Sequence, residues 1–231
     1  MTAPSSTTLF NPLIEHAIEL AAQWHDGTYR KGRWRDAPFD VPDGAMLRVP
    51  VMAHVTAVAM TILRAGWEDA VVAAAFLHDV LEDANQYDHY LRLAHLEQIV
   101  GEEVARIVLE VTEEKFDEAG KHRTWRQRKE DYIAGIRTHS IGAAAISLAD
   151  KQHNLWNINQ SLERGIDVYA NNTNRRGLSS GPEAQHWFHL SVLEATRGHL
   201  DDRLAPMRDG LRYEISRFEV LSGLGGKGFK V

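Results

Sequence analysis

Apolar residues recur along this chain at the spacing of an α-helix, and nowhere do they alternate with polar ones over the length of a strand. "NPLIEHAIELAAQWHDG" begins with Asn11 as an N-cap and Pro12 at the first helical position. Leu13, Ala17, Leu20, Ala21 and Trp24 make its apolar face. "PVMAHVTAVAMTILRAG" is a second helix, closed by Gly66, and "EDAVVAAAFLHDVLEDA" a third. "LRLAHLEQIVG" and "EEVARIVLEVTEE" form a helix pair broken near Gly101. "TWRQRKEDYIAGIRTHS" and "GAAAISLADKQHNLWNINQSLERG" add two more, and Pro182 to Leu221 reads as two helices split near "HLDDRLAPM". Residues 27–49, dense in Gly and Pro, read as one long loop, and loops of that length inside a compact domain are often functional. "NNTNRRGLSSG" is a polar loop and "GLGGKGFKV" a loose tail. The expected fold class is all-α: a compact multi-helix bundle.

A length of 231 residues, 44% of them hydrophobic, suffices for one sizeable core. The net charge of -6 gives no general attraction to nucleic acid or to anionic membrane, so an anionic ligand has to be held by local cations or by a metal. The N-terminus lacks the basic start and apolar run of a signal peptide, and no apolar run reaches the ~18 residues of a membrane span. A cytoplasmic protein is expected, with a small molecule rather than nucleic acid or membrane as its partner and an undetermined oligomeric state. Without cysteine, any metal must be held by imidazole and carboxylate, and twelve His are available.

Three apolar helices carry polar groups that a core does not tolerate unpaired. His54 interrupts "VMAHVTAVAM"; His78, Asp79, Glu82 and Asp83 follow "AAAFL"; Asp150 follows "AAAISLA". At ~100° per residue, the four polar groups after "AAAFL" fall in one sector of their helix. The economical reading is that the three segments converge on one ion.

The order H…HD…D resembles the HD superfamily of metal-dependent phosphohydrolases, and the surrounding words resemble its RelA/SpoT branch, including the stand-alone small alarmone hydrolases. "AAQWHDGTYRK" is similar to that branch's "A…H.GQ.RK", "PVMAHVTAVAMTIL" to "PYI.HP..VA.IL", "AAFLHDVLEDA" to "AALLHDVVEDT" and "ISLADKQHNL" to "VKLADRLHNL". The resemblance runs from about Leu13 to Trp156. It implies one HD domain over 9–222, with a metal core over about 50–160, C-terminal helices over 182–221, and loose termini at 1–8 and 223–231. It implies hydrolysis of the 3′-pyrophosphate of guanosine tetra- or pentaphosphate with one Mn²⁺; the residue types alone also suit Fe²⁺ or Zn²⁺. The implied ligands are His54, His78, Asp79 and Asp150. Glu82 and Asp83 then orient or deprotonate the metal-bound water or protonate the leaving oxygen. Arg30, Lys31, Arg128, Lys129, Lys151 and Asn154 are the implied substrate contacts, and His25 supports the ligands from behind. His153 is left without a role.

The match departs from the family between Lys31 and His54, where "GRWRDAPFDVPDGAMLRV" replaces a short turn and Val51 and Val55 replace a Tyr and a Pro. An adenosine alarmone or another 3′-phosphorylated nucleotide therefore stays open as substrate. So do a more general HD nucleotide phosphohydrolase and a non-catalytic alarmone-binding protein. Arg175, Arg176 and Trp187 are candidates for a lid.

Overall fold

A computed structural model describes residues 9–36, 46–171 and 177–225, the side chains of 31–36 and 46–48 excepted. Among them the chain runs α1 (Pro12–Trp24), β1 (Tyr29–Asp36), β2 (Met46–Pro50), α2 (Val51–Arg64), α3 (Asp69–Leu77), α4 (Leu93–Val100), α5 (Glu102–Val111), α6 (Trp125–Ile136), α7 (Ile141–Glu163), α8 (Pro182–Ala195) and α9 (Leu204–Leu221). The all-α expectation holds for this helical architecture. Arg175, Arg176 and the end of the tail lie outside the described residues, as does the side chain of Lys31.

The starts of helices follow local chemistry. The Asn11 side chain accepts from Leu13 N–H, and Pro12 supplies the preset φ of a first turn. Thr124 and Gln127 form a reciprocal capping box on α6. Gly101, at φ 84°, separates α4 from α5 in a conformation that costs only glycine nothing.

α3 is the centre of the bundle. Val71 through Leu77 are all buried, so the helix has no solvent face, and α1, α2, α5 and α7 pack around it. Small side chains permit that crowding: Ala73, Ala74 and Ala75 are fully buried, as are Ala144 and Ala145 on α7. A Cβ added at Gly142 of α7 meets Val71 Cγ2 at 3.0 Å, which shows how closely the two helices approach. The first half of α7 is buried from Gly142 to Lys151, and α9 packs along the same helix.

Two expectations are corrected. Residues 27–49 are not a plain loop: β1 and β2 pair antiparallel, with Trp34 opposite Arg48 and Asp36 opposite Met46, and an irregularity between Tyr29 and Trp34. The strands read "YRKGRWRD" and "MLRVP". Charged residues suit a two-stranded ribbon with open edges but erase the hydrophobic alternation by which a strand is recognised. The third helix also stops early, at Leu77. From His78 to Asp83 the chain continues in turns, held by Val80 N–H to Leu77 O and Asp83 N–H to Asp79 O.

The crowding at α3 predicts an asymmetry in stability. Ala74→Leu should lower the unfolding free energy in urea by about 1–3 kcal/mol through overpacking. Ala22→Leu, on the exposed side of α1, should change it by less than about 0.5 kcal/mol.

Candidate metal centre and adjoining cavity

His54 stands in the first turn of α2, His78 and Asp79 in the turn after α3, and Asp150 midway along α7. Ninety-six residues separate the first from the last, yet their donor atoms meet. The Nε2 atoms of His54 and His78 lie 3.2 Å apart. Asp150 Oδ1 is 3.1 Å from His54 Nε2 and 3.7 Å from His78 Nε2. Asp79 Oδ1 is 3.3 Å from His78 Nε2, and its Oδ2 is 3.7 Å from His54 Nε2. His54, His78 and Asp150 are buried.

These spacings fit a bound cation. Metal bonds of about 2.0–2.2 Å place neighbouring tetrahedral or octahedral donors roughly 3.0–3.5 Å apart. Each imidazole also aims the correct nitrogen. His78 Nδ1–H donates to Ala75 O at 2.8 Å, leaving the Nε2 lone pair toward the cluster. With imidazole and carboxylate donors and no thiolate, the set suits a divalent first-row ion and does not choose among them.

The electrostatics ask for positive charge at the same point. Burial opposes ionisation of Asp150, but Lys151 and the two imidazoles outweigh it and hold the carboxyl well below the usual range. Burial drives His54 well below an ordinary imidazole. For His78 the same burial is overcome by Asp79 and Asp150, and its value rises to about 9. Without an ion, the cluster captures a proton in its place.

Positive groups and amides continue outward from Asp150. Lys151 Nζ donates to Asp150 Oδ2 and Asn154 Nδ2 to Oδ1, both at 2.5 Å, and Arg30 donates to Asn154 Oδ1. Arg30, Lys129, Lys151, Asn154 and Asp83 line a cavity of about 300 Å³. Apolar and aromatic side chains, Trp125, Ile158, Val168, Leu178 and Phe188, share the rest of the lining with Tyr29, Asn157, Gln185 and His189. Phe188 also seats the two lysines: Lys129 Nζ lies 4.4 Å and Lys151 Nζ 5.5 Å from its ring centre.

The acidic pair is divided between two spaces. Asp83 faces the 300 Å³ cavity, whereas Glu82 borders a second one of about 580 Å³ shared with Glu113 and Lys115. Lys115 Nζ donates to the Glu82 carbonyl at 2.7 Å and to Asp83 Oδ1 at 2.8 Å. Trp24 Nε1–H holds the Asp83 carbonyl from the other side at 2.8 Å. Burial, with Glu113, Asp79 and Asp83 nearby, raises the Glu82 carboxyl to about 7.

The remaining sequence candidates divide likewise. Lys129 is both in the cavity wall and paired with Glu113. Arg128 pairs with Glu113 at 3.3 Å, and the structure does not bring it to the cavity. His25 is buried behind the cluster, its value lowered by burial against the pull of Asp79 and Asp83. Trp187 stacks under the Arg126 guanidinium, 3.4 Å from its centre to the ring. Glu113, Lys115, Asn157 and Phe188 were not foreseen. Glu113 and Lys115 sit in "VTEEKFD", which has the composition of an ordinary solvated helix end, and only tertiary contact distinguishes them.

The buried Asp150–Lys151 pair yields a test. Lys151→Met should destabilise the metal-free protein by about 3–5 kcal/mol, since it strips a buried carboxylate of its nearest cation. Saturating Mn²⁺ should recover part of that loss. Urea unfolding in chelator and in Mn²⁺ measures both.

Comparison with known proteins agrees with this geometry. Residues 46–179 match the family model described as the HD domain, a span that contains every donor of the cluster. A probable guanosine-3′,5′-bis(diphosphate) 3′-pyrophosphohydrolase from Synechocystis sp. (strain ATCC 27184 / PCC 6803 / Kazusa) is 27% identical over 190 residues, which is 72% of this chain and 24% of that protein. The chain thus spans about a quarter of the length of the curated relative it matches. Among solved structures, a metazoan ortholog of SpoT described as hydrolysing ppGpp superposes with a TM-score of 0.58 at 23% identity, covering 94% of this chain and 99% of that one. That likeness is one of fold. The structure of lmo0812 from Listeria monocytogenes EGD-e gives 0.55 at 26% identity, over 71% of this chain and 91% of that one. The chain belongs to the HD domain family.

Proposed function

We propose that the protein hydrolyses the 3′-pyrophosphate of guanosine tetra- or pentaphosphate, releasing pyrophosphate and GDP or GTP, with one divalent cation, Mn²⁺, held by His54, His78, Asp79 and Asp150. One observation carries the reading: the four-donor cluster is joined through Lys151 and Asn154 to a cavity lined by cations together with aromatic and apolar side chains. A nucleotide bearing a pyrophosphate needs both kinds of contact. The name of the Synechocystis relative supports the substrate class.

The bound ion supplies Lewis acidity and a water of lowered pKa. The chain's own groups account for the rest. Lys129, Lys151 and Arg30 meet phosphate charge, and the Arg30–Asn154–Asp150 chain ties substrate contact to a ligand of the ion. Asp83, braced by Lys115, faces the reacting space and orients the attacking water. Glu82, whose carboxyl near 7 can hold or release a proton at neutral pH, borders the neighbouring space, and its part in proton transfer to the leaving 3′ oxygen is assigned by its place in the motif. Trp125, Ile158 and Phe188 give the cavity apolar surface that excludes water, Phe188 beside the two lysines. Lys31 is assigned to the substrate by its place in the motif. Because phosphorylated nucleotides do not cross membranes, the reading carries a cytoplasmic location with it. No described helix is long and apolar enough to cross a membrane.

A second reading, a different 3′-phosphorylated nucleotide such as an adenosine alarmone, is favoured by the β1–β2 ribbon. It leads out of the cavity wall at Tyr29 and Arg30 and replaces the family's short turn.

Incubation with Mn²⁺ and guanosine tetraphosphate, read by anion-exchange chromatography, should give GDP and pyrophosphate. Release of orthophosphate, or turnover of adenosine substrates alone, would move the assignment to the second reading or to a general phosphohydrolase. Glu82→Gln should lower kcat by about 10²–10⁴-fold. Metal affinity should rise with pH and level off above about 9, because the ion must displace the proton that His78 retains below that value. Calorimetry in buffers of different ionisation enthalpy should show about one proton released per ion at neutral pH.

A further inference from the structure

An imidazole that binds a metal does so through one nitrogen, and the contact of the other nitrogen fixes the tautomer. For His78 that contact is a backbone carbonyl. For His54 it is a second imidazole: the Nδ1 atoms of His54 and His153 are 2.7 Å apart. One of them donates and the other accepts.

Asn157 decides which. Its Nδ2 lies 2.9 Å from the His153 carbonyl oxygen, which can only accept, so this end of the amide carries the hydrogens. The same Nδ2 lies 3.1 Å from His153 Nδ1. With one amide hydrogen on the carbonyl, the other is directed at His153 Nδ1, which makes that nitrogen the acceptor. Its ring proton belongs on Nε2, and the hydrogen between the rings belongs to His54 Nδ1. The His54 Nε2 lone pair is then turned to Asp150 Oδ1 at 3.1 Å, an arrangement that positive charge beside both stabilises. The ring of His153 is stacked on Trp156, with centres 5.7 Å apart and planes at 29°.

We infer that His153 is a positioning residue for the metal centre. By accepting from His54 Nδ1–H it fixes the tautomer and ring plane that present His54 Nε2 to the ion, and Asn157 fixes the tautomer of His153 in turn. The inference rests on the metal reading above. It makes α7 supply both a ligand, Asp150, and the brace for a ligand on α2.

Mn²⁺ is titrated into the metal-free protein and free ion is followed by electron paramagnetic resonance, with circular dichroism reporting the fold. His153→Phe should weaken Mn²⁺ binding by about 10–100-fold. His153→Asn, whose Oδ1 can stand near the lost Nδ1, should restore affinity close to that of the parent. Asn157→Leu, which keeps His153 but removes the lock, should weaken binding less than His153→Phe does. If His153→Phe unfolds, the Asn157→Leu and His153→Asn titrations carry the test. Nitrogen-15 spectra of the metal-free parent should show the His54 ring protonated at Nδ1 and His153 protonated at Nε2 alone. Folded His153→Phe with undiminished affinity, or a His153 ring protonated at Nδ1, would overturn the inference and leave the metal reading standing. A parent that binds no divalent ion would overturn both.

Discussion

Asp150 keeps its charge inside the bundle, on a helix buried from Gly142 to Lys151. An ionised carboxylate in such a place is costly unless opposite charge and hydrogen bonds surround it. Here Lys151, Asn154 and the His54 and His78 rings all turn to it. Much else in the molecule follows from keeping that group charged. α3 must be narrow and alanine-rich so that α2 and α7 come close on either side, and it must end at Leu77 so that His78 and Asp79 leave the helix beside Asp150.

The same demand organises the cavity. Lys151 neutralises Asp150 on one side and faces the 300 Å³ space on the other, while Asn154 links Asp150 to Arg30. Lys129 stands in the same wall, balanced by the buried Glu113. Lys129 and Lys151, which could bind phosphate, are therefore already paired with carboxylates in the free protein, and Arg30 with the Asn154 amide. Phe188 fixes both ammonium groups from beneath. Glu113 and Lys115, two residues apart, act on Glu82 in opposite directions, one raising and one lowering its proton affinity.

The segments that meet at the His54, His78, Asp79 and Asp150 cluster were legible in the sequence because each breaks an apolar helix with a group a core rejects. His54 among valines, "HD" after "AAAFL" and Asp150 after "AAAISLA" are conflicts between burial and polarity, and such conflicts show without a structure. Helix starts at Asn11 and Thr124 were readable for the same reason: capping is local chemistry. The β1–β2 ribbon was not legible, since its charged strands carry no hydrophobic alternation. Nor were the partners of the basic helix. "RTWRQRK" advertises positive charge, but only tertiary contact shows Arg128 spent on Glu113 while Lys129 also reaches the cavity. His153 belonged to a recognised word, and its bond to His54 arises from helix packing across 99 residues of chain.

The account turns on a single cation among donors from α2, the turn after α3, and α7. The most direct measurement is anomalous X-ray scattering at the manganese edge from crystals grown with Mn²⁺. The account predicts one strong peak, within bonding distance of His54 Nε2, His78 Nε2 and carboxylate oxygens of Asp79 and Asp150. Crystals saturated with Mn²⁺ that show no peak among these four side chains would contradict it.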